Sequence, residues 1–235
     1  MRPETITKIA FHTIALLHLY GLTQGWETAT GDLFLAHKIT RFALMPALAL
    51  HFMANTKFFA DKNLKLIYGA LFFSWLGDIL LTYKTELNFL SGIIVFLTAH
   101  VFYIRYYFKE TGFKHFSIIK SRAYLTVPYI LVVILFILKT YDKMGWFAIP
   151  IGIYGTVLCS MSLMALNRYN NVASISFVTT YIGSVLFVIS DFMIGWNVFI
   201  APITNASFAI MTTYIIGQYL IIEGLIKHLT LVHKS

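Results

Sequence analysis

The sequence predicts an all-α fold, a polytopic membrane bundle of about eight transmembrane helices in a single integral-membrane domain over residues 1–235. Hydrophobic residues make up 58% of the chain and charged residues only 12%, which separates it from soluble proteins. The apolar residues form runs of about twenty, the length that crosses the hydrocarbon core of a bilayer. Only short polar connections separate these runs, so we expect no separate soluble domain.

Eight apolar runs define the expected helices. They cover about residues 5–23, 39–56, 66–84, 89–107, 123–139, 147–166, 175–196 and 206–229. Arg41 and Pro46 interrupt the second run and Pro128 interrupts the fifth, although proline is tolerated in membrane helices. The first run has no small-residue cleavage site, so we expect it to remain as a helix. The longest polar connection, around 108–122, is predicted to be a basic loop.

The basic residues predict the orientation of the bundle. An even number of helices places both termini on one side, and that side collects thirteen of them: Arg2, Lys8, Lys57, Lys62, Lys65, Arg105, Lys109, Lys114, Lys120, Arg122, Arg168, Lys227 and Lys234. The other side holds five: Lys38, Arg41, Lys84, Lys139 and Lys143. Both termini are therefore predicted to be cytoplasmic, in a bacterial inner membrane or a eukaryotic endomembrane. The net charge of +8 lies in these short loops, which favours contact with membrane lipids over nucleic acid.

Two carboxylates stand inside apolar runs, Asp78 in the third expected helix and Asp191 in the seventh. A charged group at the centre of a membrane costs about 2.5 to 3.5 kcal/mol on insertion scales, so such residues usually face a cavity and serve a function. Both helices run in the same direction, and both aspartates lie past the midpoint, so we expect them at similar depth. Two carboxyl groups in a low-dielectric cavity can divide the roles of acid and base. The alternative is that each only hydrogen-bonds a neighbouring helix.

Other polar residues lie within the predicted helices. His100 and Tyr103 are three residues apart on nearly one face, and His100 could orient a carboxylate or bind a polar head group. Tyr214 and Gln218 share a face of the last helix, where Gln218 could contact substrate or water, or could serve only as a packing contact.

Three further positions are interpreted as structural. The pair Tyr154-Gly155 predicts close helix packing, and Cys159 is expected to pack in the core. Glu223 lies near the cytoplasmic end, so we expect it to reach the interface or to pair with Lys227 four residues later.

A metal site is not expected. Histidines at positions 12, 18, 51 and 100 lie within apolar runs, but no His-x-x-x-His or His-x-Glu spacing links them. The sequence therefore predicts neither a metal ion nor an organic cofactor.

Several motifs follow one another between about residues 38 and 224. They are Ser74, Gly77-Asp78 and Leu80; Gly92, Phe96, His100 and Tyr103; Tyr154 and Met161; Gly183, Phe187 and Ser190-Asp191; and Tyr214, Gln218, Leu220 and Gly224. This ordered set resembles the YhhN-like family of membrane lysoplasmalogenases, also called the transmembrane protein 86 family. One position differs, because Arg41-Phe42 stands where the family usually has Lys-Pro. Arg41 keeps the positive charge, so a contact with a head-group phosphate is still expected.

The resemblance implies hydrolysis of the vinyl ether bond of lysoplasmalogens, which yields a fatty aldehyde and a glycerophospho-ethanolamine or -choline. Asp78 and Asp191 are the expected catalytic residues. The residues expected to bind substrate are Arg41, His100, Tyr103, Tyr154, Ser190, Tyr214 and Gln218. The expected partners are a lysophospholipid substrate and membrane lipids, and the oligomeric state stays open.

Other membrane proteins also use buried carboxylates. A proton-coupled transporter of a small or lipid-like substrate is the main alternative. An intramembrane aspartyl protease fits less well, because Pro46-Ala47-Leu48 precedes both aspartates instead of following them. A retinal-binding protein is not favoured, because no lysine lies in the middle of a late helix to form a Schiff base.

Overall fold

The computed structural model describes residues 2–59, 61–83, 85–111 and 117–233. These residues form nine α-helices and, within the described ranges, no β-strand. The helices are α1 (Pro3–Thr23), α2 (Asp32–Thr56), α3 (Leu64–Thr82), α4 (Glu86–Thr111), α5 (Ser117–Ser121), α6 (Val127–Met144), α7 (Ala148–Leu166), α8 (Ser174–Phe199) and α9 (Ala206–Val232). All except the short α5 correspond to the eight expected runs, so the predicted helical membrane bundle is confirmed.

Six helical stretches of the described chain are long and apolar enough to cross a membrane, and one of them, Ala123–Leu166, contains both α6 and α7. The helix α1 is not among them, and its sequence includes the polar residues Glu4, Lys8 and His18. His18 Nδ1 of α1 lies 2.9 Å from Thr40 Oγ1 of α2, and Lys8 Nζ lies 3.2 Å from Glu223 Oε1 of α9. Polar contacts as well as apolar packing therefore attach α1 to the bundle.

The boundaries of two helices differ from the sequence prediction. The helix α2 begins at Asp32, seven residues earlier than expected, and continues without a break through Arg41 and Pro46. The helix α4 continues to Thr111, and α5 follows at Ser117–Ser121, so part of the predicted 108–122 loop is helical. Three of the basic residues used to predict the orientation, Lys84, Lys114 and Lys234, lie outside the described ranges. The orientation in the membrane stays a prediction.

Glycines allow the closest helix contact of the bundle, between α8 and α9. A Cβ atom added to Gly183 would lie 2.7 Å from the carbonyl oxygen of Gly217, and one added to Gly217 would lie 2.9 Å from the carbonyl oxygen of Gly183. Small residues let membrane helices approach until their backbones touch. The helix α9 is the most buried of the membrane-spanning stretches, so it forms the centre of the bundle.

Successive long helices alternate in direction, so the bundle has two ends. We call one the tryptophan end, because it holds Trp26, Trp146 and Trp196, and the other the arginine end, because it holds the buried Arg168. At the arginine end Glu223 is bound by Lys8, by His51 Nε2 at 3.1 Å and by the Tyr219 hydroxyl at 2.9 Å. The expected pairing with Lys227 is therefore replaced by contacts with α1 and α2, which pack against α9.

Candidate active site

Asp191 is the centre of a three-residue polar cluster that joins α4, α7 and α8. The hydroxyl of Tyr154 in α7 donates a short hydrogen bond to Asp191 Oδ2. His100 Nε2 of α4 lies 3.1 Å from that hydroxyl and 3.7 Å from the same carboxylate oxygen. The His100 ring is fully buried, and its Nδ1 has no hydrogen-bond partner among the described residues. We call Asp191, Tyr154 and His100 the Asp191 cluster.

Asp78 forms a second cluster with partners from α2 and α9. Tyr214 of α9 donates a hydrogen bond of 2.9 Å to Asp78 Oδ2, and Arg41 Nη2 of α2 lies 3.9 Å from Asp78 Oδ1. The Asp78 side chain is only 2% exposed. We call Asp78, Tyr214 and Arg41 the Asp78 cluster.

A buried hydrogen-bonded chain holds the helices around Asp78 in register. Tyr103 of α4 donates a hydrogen bond of 2.8 Å to Gln218 Oε1, and Gln218 Nε2 donates one of 3.0 Å to Ser74 Oγ of α3. Gln218 is one turn from Tyr214 on α9, as the sequence predicted. The chain thus joins α3, α4 and α9 close to the Asp78 cluster.

Two phenylalanine rings lie between the two clusters. The Phe187 ring centroid is 4.9 Å from that of His100 and 5.3 Å from that of Tyr214, with edge-to-face geometry in both pairs. Phe96 packs against Phe187 and Tyr214 at 6.3 and 6.0 Å. An aromatic layer therefore separates the two carboxylate clusters.

An apolar pocket of about 100 Å³ lies among α4, α6, α7 and α8, with Asp191 and Tyr154 in its wall. Its other walls include Val132, Val133, Phe136, Leu158 and Phe192. Asp191 is the only charged group among the described lining residues. Asp78 does not line the pocket, so of the two carboxylates Asp191 alone is positioned to touch a molecule bound there.

The structure separates some residues that the sequence grouped. His100 belongs to the Asp191 cluster, whereas Tyr103, three residues later, bonds Gln218. The Ser190 hydroxyl donates a hydrogen bond of 3.0 Å to the carbonyl oxygen of Ile210, so it contacts α9 and not the pocket. Its role in substrate binding stays a prediction.

Gly155 is a pocket residue whose role the sequence did not reveal. A Cβ atom added to Gly155 would have the Val133 side chain, at 3.8 Å, as its nearest neighbour, so the glycine borders open space. The expected close packing at Tyr154-Gly155 is thus absent at the glycine. A glycine beside a buried tyrosine was the available signal, but it indicates packing and pocket walls equally well.

The family of this chain follows from its similarity to known proteins. A family model described as the YhhN family matches residues 36–225, which include both aspartate clusters. The chain belongs to the YhhN family. The family predicted from the sequence motifs is therefore confirmed, and the matched residues extend from α2 into α9.

Curated relatives of this YhhN chain include two mammalian proteins named lysoplasmalogenase TMEM86B. The Homo sapiens protein is 28% identical over 160 residues, which cover 67% of this chain and 62% of the relative. The Sus scrofa protein is 30% identical over 160 residues, which cover 66% of this chain and 61% of the relative. The matched part thus spans about three fifths of the curated relatives. No solved structure matches the chain.

Among the described residues, no group of three or more His, Cys, Asp or Glu side chains is arranged to hold a metal ion.

Proposed function

We propose that this YhhN family member is a membrane hydrolase that cleaves the vinyl ether bond of lysoplasmalogens. The observation that carries the proposal is the position of Asp191, a carboxyl group in the wall of an apolar pocket inside a membrane bundle. A vinyl ether is cleaved by acid, and its lipid tail needs an apolar site. The names of the curated relatives agree with this substrate class.

In the first step, Asp191 in its acid form gives its proton to the vinyl carbon that does not carry oxygen. The π electrons of the double bond form the new carbon–hydrogen bond, and an oxygen lone pair forms the carbon–oxygen double bond of an oxocarbenium ion. Asp191 becomes a carboxylate in this step. The Tyr154 hydroxyl, which donates to Asp191, stabilises that developing negative charge.

In the second step, water adds to the oxocarbenium carbon and returns a proton to Asp191. As the carbon–oxygen bond to glycerol breaks, the hemiacetal hydroxyl proton passes to the glycerol oxygen, which yields a fatty aldehyde and a glycerophospho-ethanolamine or -choline. The overall reaction consumes one water. General acid–base catalysis of this kind typically contributes about 10²- to 10⁴-fold in rate. The same carboxyl group acts as acid and then as base, as one of the two carboxyls does in retaining glycosidases.

Asp78 acts as the second carboxylate, at a distance from the pocket. A second carboxylate near the pocket favours the cationic oxocarbenium ion through its negative charge. Tyr214 and Arg41 hold the Asp78 carboxyl in place. His100 keeps Tyr154 and Asp191 in register by contacting both.

The test uses purified protein with a lysoplasmalogen and with its saturated ether analogue. We expect aldehyde release from the vinyl ether only, and we expect Asp191→Asn to lower that rate about 10²-fold or more. Asp78→Asn is also expected to abolish most aldehyde release. Asp142→Asn, at an exposed position on α6, is the matched control.

An Asp191→Asn protein that remains folded and retains most of the activity would exclude this mechanism. Uptake of the lipid into liposomes without cleavage would favour a transporter instead.

A further inference from the structure

The tryptophan end of the bundle carries few cations, and two of them lie on a helix that borders the apolar pocket. Arg41 faces Asp78, Lys38 lies over the rings of two aromatic side chains, and Lys84 is outside the described residues. The other two, Lys139 and Lys143, both lie on the last turns of α6, the helix that forms one wall of the apolar pocket. The pocket thus has two ammonium groups on one of its bordering helices.

Both ammonium groups contact residues that are next in sequence to pocket residues. Lys143 Nζ donates a hydrogen bond of 3.1 Å to the carbonyl oxygen of Ile200, and Lys139 Nζ lies 6.0 Å from the centroid of the Trp196 ring. Ile200 follows the pocket residue Phe199, and Trp196 follows the pocket residue Gly195. The two lysines are therefore positioned where a molecule leaving the pocket would meet the interface.

Neither ammonium group forms an ion pair with a described carboxylate, although Asp142 lies between the two lysines in the sequence of α6. Within the described ranges, no carboxylate oxygen lies within 4.0 Å of Lys139 or Lys143. A lysine ammonium has three N–H donors, and Lys143 uses one of them for Ile200. The remaining donors are suited to a phosphate, which lysine binds as a point charge.

The distances along the bundle match a single-chain phospholipid. Trp196 is five residues beyond Asp191 on α8, which corresponds to about 7.5 Å of helix rise. In a glycerol lipid, five covalent bonds separate the ether oxygen from the phosphorus, which corresponds to about 6 Å at ordinary bond lengths. A lipid whose vinyl ether lies at Asp191 therefore places its phosphate at the level of Lys139 and Lys143.

We propose that Lys139 and Lys143 bind the phosphate of the single-chain lipid whose ether group lies at Asp191. This inference rests on the proposed function, because it takes the substrate to be a lysophospholipid. It differs from the sequence expectation that Arg41 contacts the phosphate, because Arg41 belongs to the Asp78 cluster, away from the pocket. The two lysines would set both the head-group requirement and the direction in which the lipid enters.

The test measures binding, independently of cleavage, in a nonionic detergent free of phospholipid. The probes are a saturated 1-O-alkyl lysophospholipid, which cannot be cleaved at a vinyl ether, and the 1-O-alkylglycerol of the same chain length, which lacks phosphate. For the Lys139→Gln/Lys143→Gln variant we expect about 25-fold weaker binding of the phospholipid, at about fivefold per lysine. Binding of the alkylglycerol should stay unchanged, which also shows that the variant is folded.

Matched variants separate this site from its rivals. Lys57→Gln removes an exposed lysine that lies 4.8 Å over the Phe58 ring at the arginine end, and it should leave both affinities unchanged. Lys139→Arg/Lys143→Arg should retain most of the phospholipid affinity. Unchanged phospholipid binding by the double Gln variant would overturn the inference. A loss of phosphate discrimination in Arg41→Gln alone, or equally tight lysine-dependent binding of a two-chain phospholipid, would also overturn it.

Cleavage assays distinguish the two proposals. Lysine-dependent binding of the lysophospholipid without cleavage of a lysoplasmalogen would reject the proposed reaction and leave the lysine site intact. Cleavage together with lysine-independent binding would reject the lysine site and leave the reaction intact.

Discussion

Replacing Tyr154 with phenylalanine tests whether Asp191 becomes negatively charged as it gives its proton to the substrate. The substitution removes one hydroxyl group and keeps the ring that lines the pocket. That hydroxyl donates to Asp191 Oδ2 and lies 3.1 Å from His100 Nε2. Only the part of the hydrogen bond that strengthens as Asp191 loses its proton contributes to the rate.

The size of the effect follows from the change in the hydrogen bond. A neutral hydrogen bond contributes about 0.5 to 1.5 kcal/mol and one to a charged group about 1.5 to 3 kcal/mol, so the difference is about 1 to 1.5 kcal/mol. At 1.36 kcal/mol per factor of ten, kcat should fall about 5- to 13-fold. The loss should be smaller than that of Asp191→Asn, because the acid itself remains.

The assay is aldehyde release at saturating lysoplasmalogen, with thermal unfolding measured in parallel. Tyr129→Phe is the matched control, because the Tyr129 hydroxyl contacts Ser162 and Tyr181 at 3.0 and 3.2 Å and, among the residues that the structure describes, no carboxylate. A Tyr154→Phe enzyme with wild-type kcat would refute the reasoning. So would a loss as large as that of Asp191→Asn, since Tyr154 would then be the acid itself.

Two further substitutions address the pocket and the fold. Gly155→Leu fills open space in the pocket that Asp191 also lines, so we expect a higher KM for long-chain substrates. We expect no loss of thermal stability, since leucine favours helix over glycine. Unchanged KM across chain lengths would show that the tail binds elsewhere. Arg168 donates two hydrogen bonds, of 2.5 and 3.0 Å, to the buried Glu110 carboxylate. Arg168→Met removes both bonds and leaves that carboxylate buried, so the free energy of unfolding should fall by about 3 to 5 kcal/mol. The double variant Arg168→Met/Glu110→Leu should recover most of that loss in chemical denaturation, and a double variant as unstable as the single one would contradict this explanation.

Much of the fold could be predicted because apolar length alone identifies a membrane helix. The helix α8 was expected at about residues 175–196 and is found at Ser174–Phe199. The start of α2 was missed because Asp32, His37 and Lys38 interrupt the apolar residues of its first turns. His37 packs against His18 of α1, with the ring centroids 5.1 Å apart. Hydropathy identifies only the apolar part of a helix, and contacts with neighbouring helices stabilise the turns beyond that part.

Candidate site residues could be selected from the sequence, but their contacts with one another could not. The cost of burying a charge identified Asp78 and Asp191 as candidates. Which tyrosine meets which carboxylate could not be predicted, because Tyr214 and Asp78 are 136 residues apart in the chain. Helical periodicity tells which face a residue occupies, but it does not tell which helix lies opposite. The aromatic layer between the clusters follows from that same arrangement.

The helix α6 has only Thr140 and Met144 fully buried, yet its inner side forms part of the pocket wall. One side of the pocket is thus only a single helix away from the surrounding lipid. For a substrate that arrives through the bilayer, the relevant concentration is its mole fraction among the neighbouring lipids and not its amount per volume of water. Diluting the substrate with inert lipid or detergent, at constant total substrate, should therefore slow the reaction.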